Sequence, residues 1–118
     1  MRLDRQINTV MITCYTMYMK ATWNNTVIAE APKEDLIRIE GNWYFPPSSL
    51  KKEFFSDSDH KTTCHWKGES SYYNVTVDDK VNDFGAWYYP APMDGSIDRV
   101  GKDFTDYVAF WNGIEVTD

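Results

Sequence analysis

Short runs of β-forming residues, separated by tight-turn signals, most constrain how this chain can fold. An Asn-Asn pair at residues 24–25 and an Asn-Gly pair at residues 112–113 each follow a tryptophan. Asn and Gly tolerate the positive φ of two-residue hairpin turns, so we expect hairpins over residues 20–29 and 107–116. About seven short strands at regular turn spacing predict a mainly β, antiparallel sandwich or partly open barrel with one short helix.

Three further strands are predicted from alternation and from the residues that end them. Residues 36–40 are followed by a glycine, residues 71–77 alternate side chains between two faces, and residues 84–90 end at a proline. Successive side chains of a strand point to opposite faces, so Tyr72 and Tyr73 are predicted to face apart. Together with the two hairpins, these strands make up the predicted β domain.

The segments between these strands are rich in proline and polar residues. Prolines at residues 46–47 remove sheet donors, so residues 43–47 are predicted to form a stiff aromatic loop. A serine cap favours a short helix over residues 50–55, and the polar residues 56–61 are predicted to form a loop. Residues 97–100 are predicted to form one helical turn inside a loop.

The chain of 118 residues fits one domain, which at this size can bury a core without disulfides or metals. Because the patterned sequence begins at Met19, residues 19–118 are assigned to a single small β domain. Residues 1–18 are assigned to an N-terminal extension that need not be ordered. Aromatic residues make up 16% of the chain, which predicts an aromatic core and an aromatic groove.

The net charge of −6 comes from 18 acidic and 12 basic residues, and the basic residues are scattered along the chain. Nucleic-acid binding needs a concentrated cationic face to neutralise phosphates. The sequence therefore predicts no nucleic-acid partner, and it leaves the oligomeric state open.

The two cysteines, Cys14 and Cys64, lie in different surroundings. No secretory signal indicates an oxidising compartment, so we expect two free thiols. Two cysteines cannot form a four-thiolate zinc site, and neither a metal nor a cofactor is predicted.

No membrane span is predicted. Residues 7–19 are interrupted by polar side chains and are shorter than the roughly 20 residues that a membrane helix needs. They also lack the cleavage site of a signal peptide. We therefore expect a cytoplasmic protein without a membrane partner, in which the glycosylation sequons at residues 24–26 and 74–76 are chance matches.

Residues 62–73 hold more reactive chemistry than any other stretch of similar length. They combine a thiol, an imidazole, an amine, a carboxylate, hydroxyls and aromatic rings. We expect this stretch to line a pocket closed by Trp43 and Trp87, because aromatic rings bind planar or cationic ligands by stacking and cation–π attraction. The predicted ligand-binding residues are Trp43, Cys64, Trp66, Lys67, Glu69, Tyr73, Trp87 and Tyr88, with Ser70 as a further polar contact.

Four segments in order resemble one known family. They read EGNWYFPP at residues 40–47, TCHWKGESSYY at residues 63–73, AWYYP at residues 86–90 and VAFW at residues 108–111. Over residues 19–118 the chain is similar to the domain of unknown function 427 family, some members of which are labelled nucleotidyltransferase-like. Where the family usually has Cys-Pro, this chain has Cys64 and His65.

The resemblance implies a fold similar to the β-tent or Mss4-like group. Members of that group often hold zinc with four cysteines, and since this chain has two, the zinc does not carry over. The predicted function is a small-molecule-binding module with an aromatic pocket.

Two classes of enzyme remain open, both using the loop at residues 64–69. In a thiol-dependent enzyme, Cys64 would be the catalytic nucleophile or redox thiol, activated by His65 or Lys67, since a neighbouring cation lowers the pKa of a thiol. His65 is a poor partner because adjacent residues of a strand point to opposite faces.

A nucleotidyltransferase-like enzyme would hold magnesium with carboxylates, and two pairs are suitably spaced, Asp57 with Asp59 and Asp78 with Asp79. It would also need a cradle for phosphates, and no Gly-rich phosphate loop precedes a helix in the sequence.

A third class, a protein-interaction module, would use the aromatic, proline-containing loops at residues 44–47 and 88–92. Such loops expose apolar side chains next to a rigid backbone. A large contiguous apolar patch around them would favour this class over a closed pocket.

Overall fold

The computed structural model describes residues 17–118, which form nine β-strands and one short α-helix. In chain order the elements are β1 (Tyr18–Trp23), β2 (Thr26–Pro32), β3 (Ile37–Ile39), β4 (Asn42–Tyr44), β5 (Phe55–Cys64), β6 (Gly68–Val77), β7 (Lys80–Tyr88), α1 (Ser96–Val100), β8 (Val108–Phe110) and β9 (Glu115–Thr117). The predicted mainly β, antiparallel fold with one short helix is confirmed. The finer assignment to the β-tent or Mss4-like group stays a prediction.

The described residues begin close to the predicted domain boundary. β1 starts at Tyr18, so the predicted extension at residues 1–18 lies almost entirely outside the described residues. Cys14 also lies outside them, whereas Cys64 is a free cysteine at the end of β5. Within residues 17–118, no helix is long and apolar enough to cross a membrane.

The strands form three sheets, in the orders β2-β1-β9, β3-β4 and β5-β6-β7-β8. Every pairing between these strands is antiparallel. The predicted hairpin over residues 20–29 is confirmed, because β1 pairs with β2 across the turn. Asn24 and Asn25 have φ values of 50° and 61°. This is the positive-φ conformation that the Asn-Asn pair predicts for a two-residue turn.

The predicted hairpin over residues 107–116 is wrong, although its turn forms. Asn112 and Gly113 have positive φ values of 52° and 86°. However, β8 pairs with β7, whereas β9 pairs with β1 in another sheet. All of β8 is buried and most of β9 is exposed, so β8 gains more from pairing with β7, where its side chains join both apolar clusters. The turn therefore joins two sheets.

The predicted helix over residues 50–55 and the predicted loop over residues 56–61 are also wrong. Lys52–Phe54 form a single 3-10 turn, and β5 begins at Phe55 and pairs with β6 along most of its length. β5 lies at the edge of the four-stranded sheet, so its polar side chains remain in contact with water. Pairing with a distant strand here overrides the local preference for helix or loop.

Residues 43–47 are partly a strand and not wholly a loop. β4 pairs with β3, and Phe45 then forms an isolated bridge to Val108. Pro46 ends this pairing because it has no N–H donor. The bridge fixes the two-stranded sheet against β8.

Two apolar clusters cover the two faces of the four-stranded sheet. The first cluster includes Ile28 and Val75 and packs this sheet against the β2-β1-β9 sheet. The second cluster includes Tyr44 and Phe104 and packs the β3-β4 pair against the other face. Alternation along β7 places Trp87 beside the second cluster, and the candidate site lies there.

Candidate functional site

A pocket of about 210 Å³ lies on the face of the four-stranded sheet that carries Trp87. Its lining combines four aromatic side chains, two of which are tyrosines, with one threonine, one serine and one lysine. The lining residues are Thr62, Lys67, Ser70, Tyr72, Trp87, Tyr89 and Trp111. The pocket therefore offers both stacking surfaces and hydrogen-bonding groups.

Strand register brings these side chains together. Thr62 of β5 lies opposite Ser70 of β6, and Tyr72 of β6 lies opposite Trp87 of β7. Directly opposed residues of antiparallel strands share a face, as do residues two apart on one strand, such as Ser70 and Tyr72. The wall of the pocket is therefore formed by side chains on one face of three neighbouring strands.

Three hydroxyl groups form one polar side of the pocket. Thr62 Oγ1 lies 2.5 Å from Ser70 Oγ and 3.0 Å from the hydroxyl oxygen of Tyr72. Ser70 Oγ also lies 3.2 Å from the main-chain oxygen of Thr62, to which it donates. Ser70 and Tyr72 are buried and Thr62 is exposed, so these hydrogen bonds are partly shielded from water and hold the hydroxyls in place.

The other polar group of the pocket is the amine of Lys67, whose side chain is only 7% exposed. Lys67 Nζ donates a hydrogen bond to Glu40 Oε1 and lies 5.4 Å from the ring centre of Tyr89. Burial is the largest single effect and lowers the pKa of Lys67, but the hydrogen bond to Glu40 and the electrostatic attraction of Glu40 and other neighbouring groups together outweigh it, so the pKa is raised. The same bond holds the pKa of Glu40 below its usual value of 4.5. Both groups are therefore charged at neutral pH, and their charges cancel.

Gly68 fixes the backbone that presents Lys67. Its φ is 110°, a conformation that residues with a Cβ rarely adopt. A Cβ at this position would lie 3.2 Å from the nitrogen of Met93. Since the N–H of Met93 donates to the carbonyl of Lys67 at 2.9 Å, this close contact depends on the glycine.

The aromatic walls of the pocket meet at a right angle. The ring centres of Trp87 and Trp111 are 6.2 Å apart, and their planes are inclined at 89°. Trp87 Nε1 donates to the hydroxyl of Tyr44 at 3.0 Å, and Trp111 Nε1 donates to the carbonyl of Phe84 at 2.6 Å. Because both indole N–H groups are occupied, the two rings offer a ligand apolar surface. Burial raises the pKa of Tyr44 and of Tyr89, so both phenols are neutral at physiological pH.

Further aromatic rings border the open side of the pocket. A β-bulge in β7 gives Phe84 a positive φ of 42°, and its N–H donates to Asn74 Oδ1 at 2.8 Å. A bulge redirects a side chain, and here the ring of Phe84 stacks on His60 with centres 4.4 Å apart. Its centre also lies 6.4 Å from that of Trp111, so the aromatic surface continues beyond the pocket.

Of the predicted ligand-binding residues, Lys67 and Trp87 line the pocket. Tyr73 and Tyr88 stack on each other with ring centres 4.5 Å apart, on the opposite face of the sheet beside the first cluster. Burial and the neighbouring Tyr88 raise the pKa of Tyr73 to about 12. Trp43 lies on β4 and also packs against the first cluster, outside the pocket.

The remaining predicted residues lie near the pocket but not in its lining. Trp66 follows β5 and borders a neighbouring pocket of about 240 Å³, where the guanidinium of Arg99 lies 4.1 Å from its ring centre. Cys64 is half-buried and packs against the second cluster. Glu69 lies on β6, opposite Thr63, and is exposed.

Sequence reasoning did not select Thr62, Tyr72, Tyr89 or Trp111 as ligand-binding residues. Thr62 and Tyr72 lie within the predicted stretch, and alternation from Ser70 could have selected Tyr72. Trp111 precedes the Asn-Gly turn. That turn predicted a local hairpin and gave no indication that Trp111 would lie beside β7.

Sequence comparison relates almost the whole chain to one family. Residues 12–117 match the sequence model of the family described as Domain of unknown function (DUF427). The chain belongs to the DUF427 family. No curated protein matches the chain. The family match includes every residue that lines the pocket of this DUF427 protein.

The acidic residues in the described part of the DUF427 protein are exposed. Within that part of the chain, no group of three or more His, Cys, Asp or Glu side chains is placed to hold a metal ion. Of the two pairs suitably spaced for magnesium, Asp57 and Asp59 lie on the edge strand β5, and Asp78 and Asp79 lie in the turn after β6.

The ion pair of Lys67 and Glu40 makes the stability of the protein depend on pH. Because the pKa of Glu40 is lowered by folding, its stabilising contribution is present above its usual value of 4.5 and is lost as the pH falls through the folded-state value. We expect wild type to have a higher Tm than Glu40→Gln at pH 6 to 7, and this difference to shrink as the pH falls below 4.5. Thermal unfolding measured from neutral to acidic pH provides the check. A difference that stays unchanged as the pH falls well below 4.5 would show that the carboxylate charge is not responsible.

Proposed function

We propose that this DUF427 protein is a binding module for a small ring-shaped molecule, held in the pocket whose aromatic walls include Trp87 and Trp111. The observation that carries the proposal is the corner formed by these two indoles beside fixed hydrogen-bonding groups. A flat ring that stacks on one indole meets the other at its edge, and both arrangements are favourable for aromatic rings. Binding sites of this composition, apolar walls with a few placed polar groups, are typical for small molecules.

The size of the pocket favours a ligand of one or two rings. Its volume of about 210 Å³ is below the range of about 300–1,000 Å³ that is usual for drug-sized ligands. The open side is bordered by Trp111 and Phe84, so part of a larger molecule could extend along the aromatic surface.

The surroundings of Cys64 support binding more than thiol catalysis. A catalytic thiol needs an activating base or cation and access to substrate. Cys64 is half-buried against the second cluster. His60 is stacked on Phe84, His65 is exposed in the turn after β5, and the nearby amine of Lys67 is paired with Glu40. A nucleotidyltransferase-like activity would need carboxylates beside the ligand, and the lining of the pocket consists of hydroxyl, amine and aromatic side chains.

Replacement of Trp111 by alanine is expected to abolish ligand-induced stabilisation. Trp111 forms one wall of the pocket and is 44% exposed, so its removal should disturb the fold little. The measurement is Tm and intrinsic tryptophan fluorescence against a panel of nucleosides, aromatic amines, phenols and heteroaromatic compounds. A compound present at 100 times its Kd should stabilise wild type by about 2.7 kcal/mol, and this stabilisation should disappear in Trp111→Ala.

The matched control is Trp43→Ala. Trp43 is a half-buried tryptophan outside the pocket, so the variant should start from a lower Tm but show the wild-type ligand shift. If a compound stabilises Trp111→Ala as much as it stabilises Trp43→Ala, it does not bind in this pocket. If no ring compound acts through Trp111, the proposed function is wrong.

The proposed partner is thus a small molecule. We propose, from the sequence, that the protein works in the cytoplasm and does not bind nucleic acid. The scattered basic residues and the net charge of −6 support the second statement.

A further inference from the structure

The three hydroxyls in the pocket wall are linked in a way that fixes the direction of each hydrogen bond. Ser70, Thr62 and Tyr72 make three contacts: Ser70 Oγ to the main-chain oxygen of Thr62, Thr62 Oγ1 to Ser70 Oγ, and Thr62 Oγ1 to the Tyr72 hydroxyl. Each hydroxyl has one hydrogen to donate. Each of the three contacts must therefore use one of the three hydroxyl hydrogens.

Only one arrangement of these hydrogens satisfies all three contacts. The main-chain oxygen of Thr62 can only accept, so the hydrogen of Ser70 is directed to it. The contact of 2.5 Å between Ser70 and Thr62 must then be donated by Thr62. The contact of 3.0 Å between Thr62 and Tyr72 must in turn be donated by Tyr72. The chain of donors runs from Tyr72 through Thr62 and Ser70 to the backbone.

This direction determines what the hydroxyls can offer to a ligand. All three hydrogens are used inside the protein, so the group presents lone pairs and no donor. Within residues 17–118 the Tyr72 hydroxyl accepts no hydrogen bond, so its oxygen keeps its capacity to accept one. A ligand that faces this side must therefore donate, because an acceptor there would meet lone pairs and leave its own polar atom unsatisfied.

Lys67 has the opposite polarity. Its ammonium group has three hydrogens, and Glu40 accepts one of them, so the amine can donate to a ligand in the pocket. The charge of Lys67 is balanced by Glu40, which favours a neutral acceptor such as a carbonyl oxygen over a carboxylate.

We propose that the pocket selects neutral ring compounds that carry an O–H or N–H donor for the Thr62, Ser70 and Tyr72 hydroxyls and a carbonyl-type acceptor for Lys67. This inference rests on the proposed function, since it names the class of ligand for the same pocket. It adds a requirement that stacking alone does not impose, namely a donor and an acceptor on the same ring.

The test uses probes that differ by single groups. Isothermal titration or fluorescence titration compares 3- and 4-hydroxyacetophenone, which carry a donor and an acceptor, with their methyl ethers, which lack the donor. A further probe, 4-ethylphenol, lacks the acceptor. We expect the better hydroxyacetophenone isomer to bind wild type at least roughly tenfold more tightly than its ether and than 4-ethylphenol, as the loss of one buried hydrogen bond implies.

Two substitutions of Thr62 separate hydrogen bonding from the size of the ether methyl group. Thr62→Ser keeps the hydroxyl and should keep the preference for the phenol. Thr62→Val has nearly the shape of threonine but frees the hydrogen of Tyr72, which can then donate to the ether oxygen. In Thr62→Val the preference should fall to about threefold or less.

The outcomes distinguish this inference from the proposed function. If the ethers bind wild type as tightly as the phenols, or if Thr62→Val keeps the full preference, the direction of the hydroxyl chain does not select the ligand and the inference is overturned. If no acetophenone binds while other ring compounds bind through Trp111, the inference is also overturned but the binding function stands. If no ring compound binds through Trp111, both fail.

Discussion

Replacing Phe45 by alanine is expected to lower the free energy of unfolding by about 3–5 kcal/mol, the usual range for deletion of a large aromatic side chain from a core. Phe45 is fully buried, and its ring packs edge-on against Phe110 with centres 5.4 Å apart. Its main chain also bridges to Val108 through hydrogen bonds of 2.8 and 2.9 Å. The alanine variant leaves a cavity where the two-stranded sheet joins β8.

Urea denaturation of wild type, Phe45→Ala and Phe54→Ala provides the measurement. Phe54 is partly buried in a 3-10 turn at the margin of the same cluster, so its removal should cost less than removal of the fully buried Phe45. Equal losses for the two variants would show that the first cluster does not depend on the contact between Phe45 and β8.

The second large effect concerns the ion pair of Lys67 and Glu40, whose two partners are expected to differ in how much stability is lost when each is replaced. Glu40→Gln removes the carboxylate and leaves the buried ammonium of Lys67 without a countercharge, which we expect to cost about 1–3 kcal/mol. The full cost of breaking a buried pair is not expected, because the side chain of Glu40 is 54% exposed and water screens it. Lys67→Met removes the buried charge and leaves Glu40 in water, so it should cost less than about 1 kcal/mol.

Chemical denaturation at pH 7 compares these two variants. The expected order of stability is wild type, then Lys67→Met close behind, then Glu40→Gln clearly lower. If Lys67→Met is the less stable variant, the lysine contributes mainly through its packing in the pocket and not through the balance of charge.

Local sequence signals predicted the parts of the fold whose conformation is set by neighbouring residues. The Asn-Asn turn of β1 and β2, the strand over residues 71–77 and the helical turn over residues 97–100 all form. Each depends on a turn residue or on alternation that can be recognised within a few positions. The fold class followed from these elements.

Distant pairing explains the parts that local signals did not predict. Polar residues 56–61 look like a loop, but they form a strand because β6 supplies hydrogen-bond partners. The Asn-Gly turn looks like the centre of a hairpin, but β8 pairs with β7 and β9 pairs with β1. Which of two distant strands a segment joins depends on the burial that each pairing achieves, and this does not appear in a short window of sequence.

The same limit applies to the candidate site. Lys67 and Trp87 were predicted from their chemistry and they line the pocket. Tyr73 and Tyr88 share the aromatic character of Tyr72 and Trp87, but alternation places them on the other face. Alternation shows which side chains share a face of the four-stranded sheet, but it does not show which of the two faces the β3-β4 pair will cover. Trp111 reaches the pocket because it directly follows β8, which pairs with β7, and its main-chain N–H donates to the carbonyl of Gly85.

The measurement that tests the central claim most directly is a titration of ¹⁵N-labelled protein with 4-hydroxyacetophenone and with the strongest ring compound of the panel, followed through the indole N–H signals in NMR spectra. The chain has five tryptophans, so each reports on a different place in the fold. We predict that the signals of Trp87 and Trp111 shift in a saturable manner, while that of Trp43 on β4 stays in place. Saturable shifts at Trp43 with none at Trp87 and Trp111 would contradict the assignment of the pocket as the binding site.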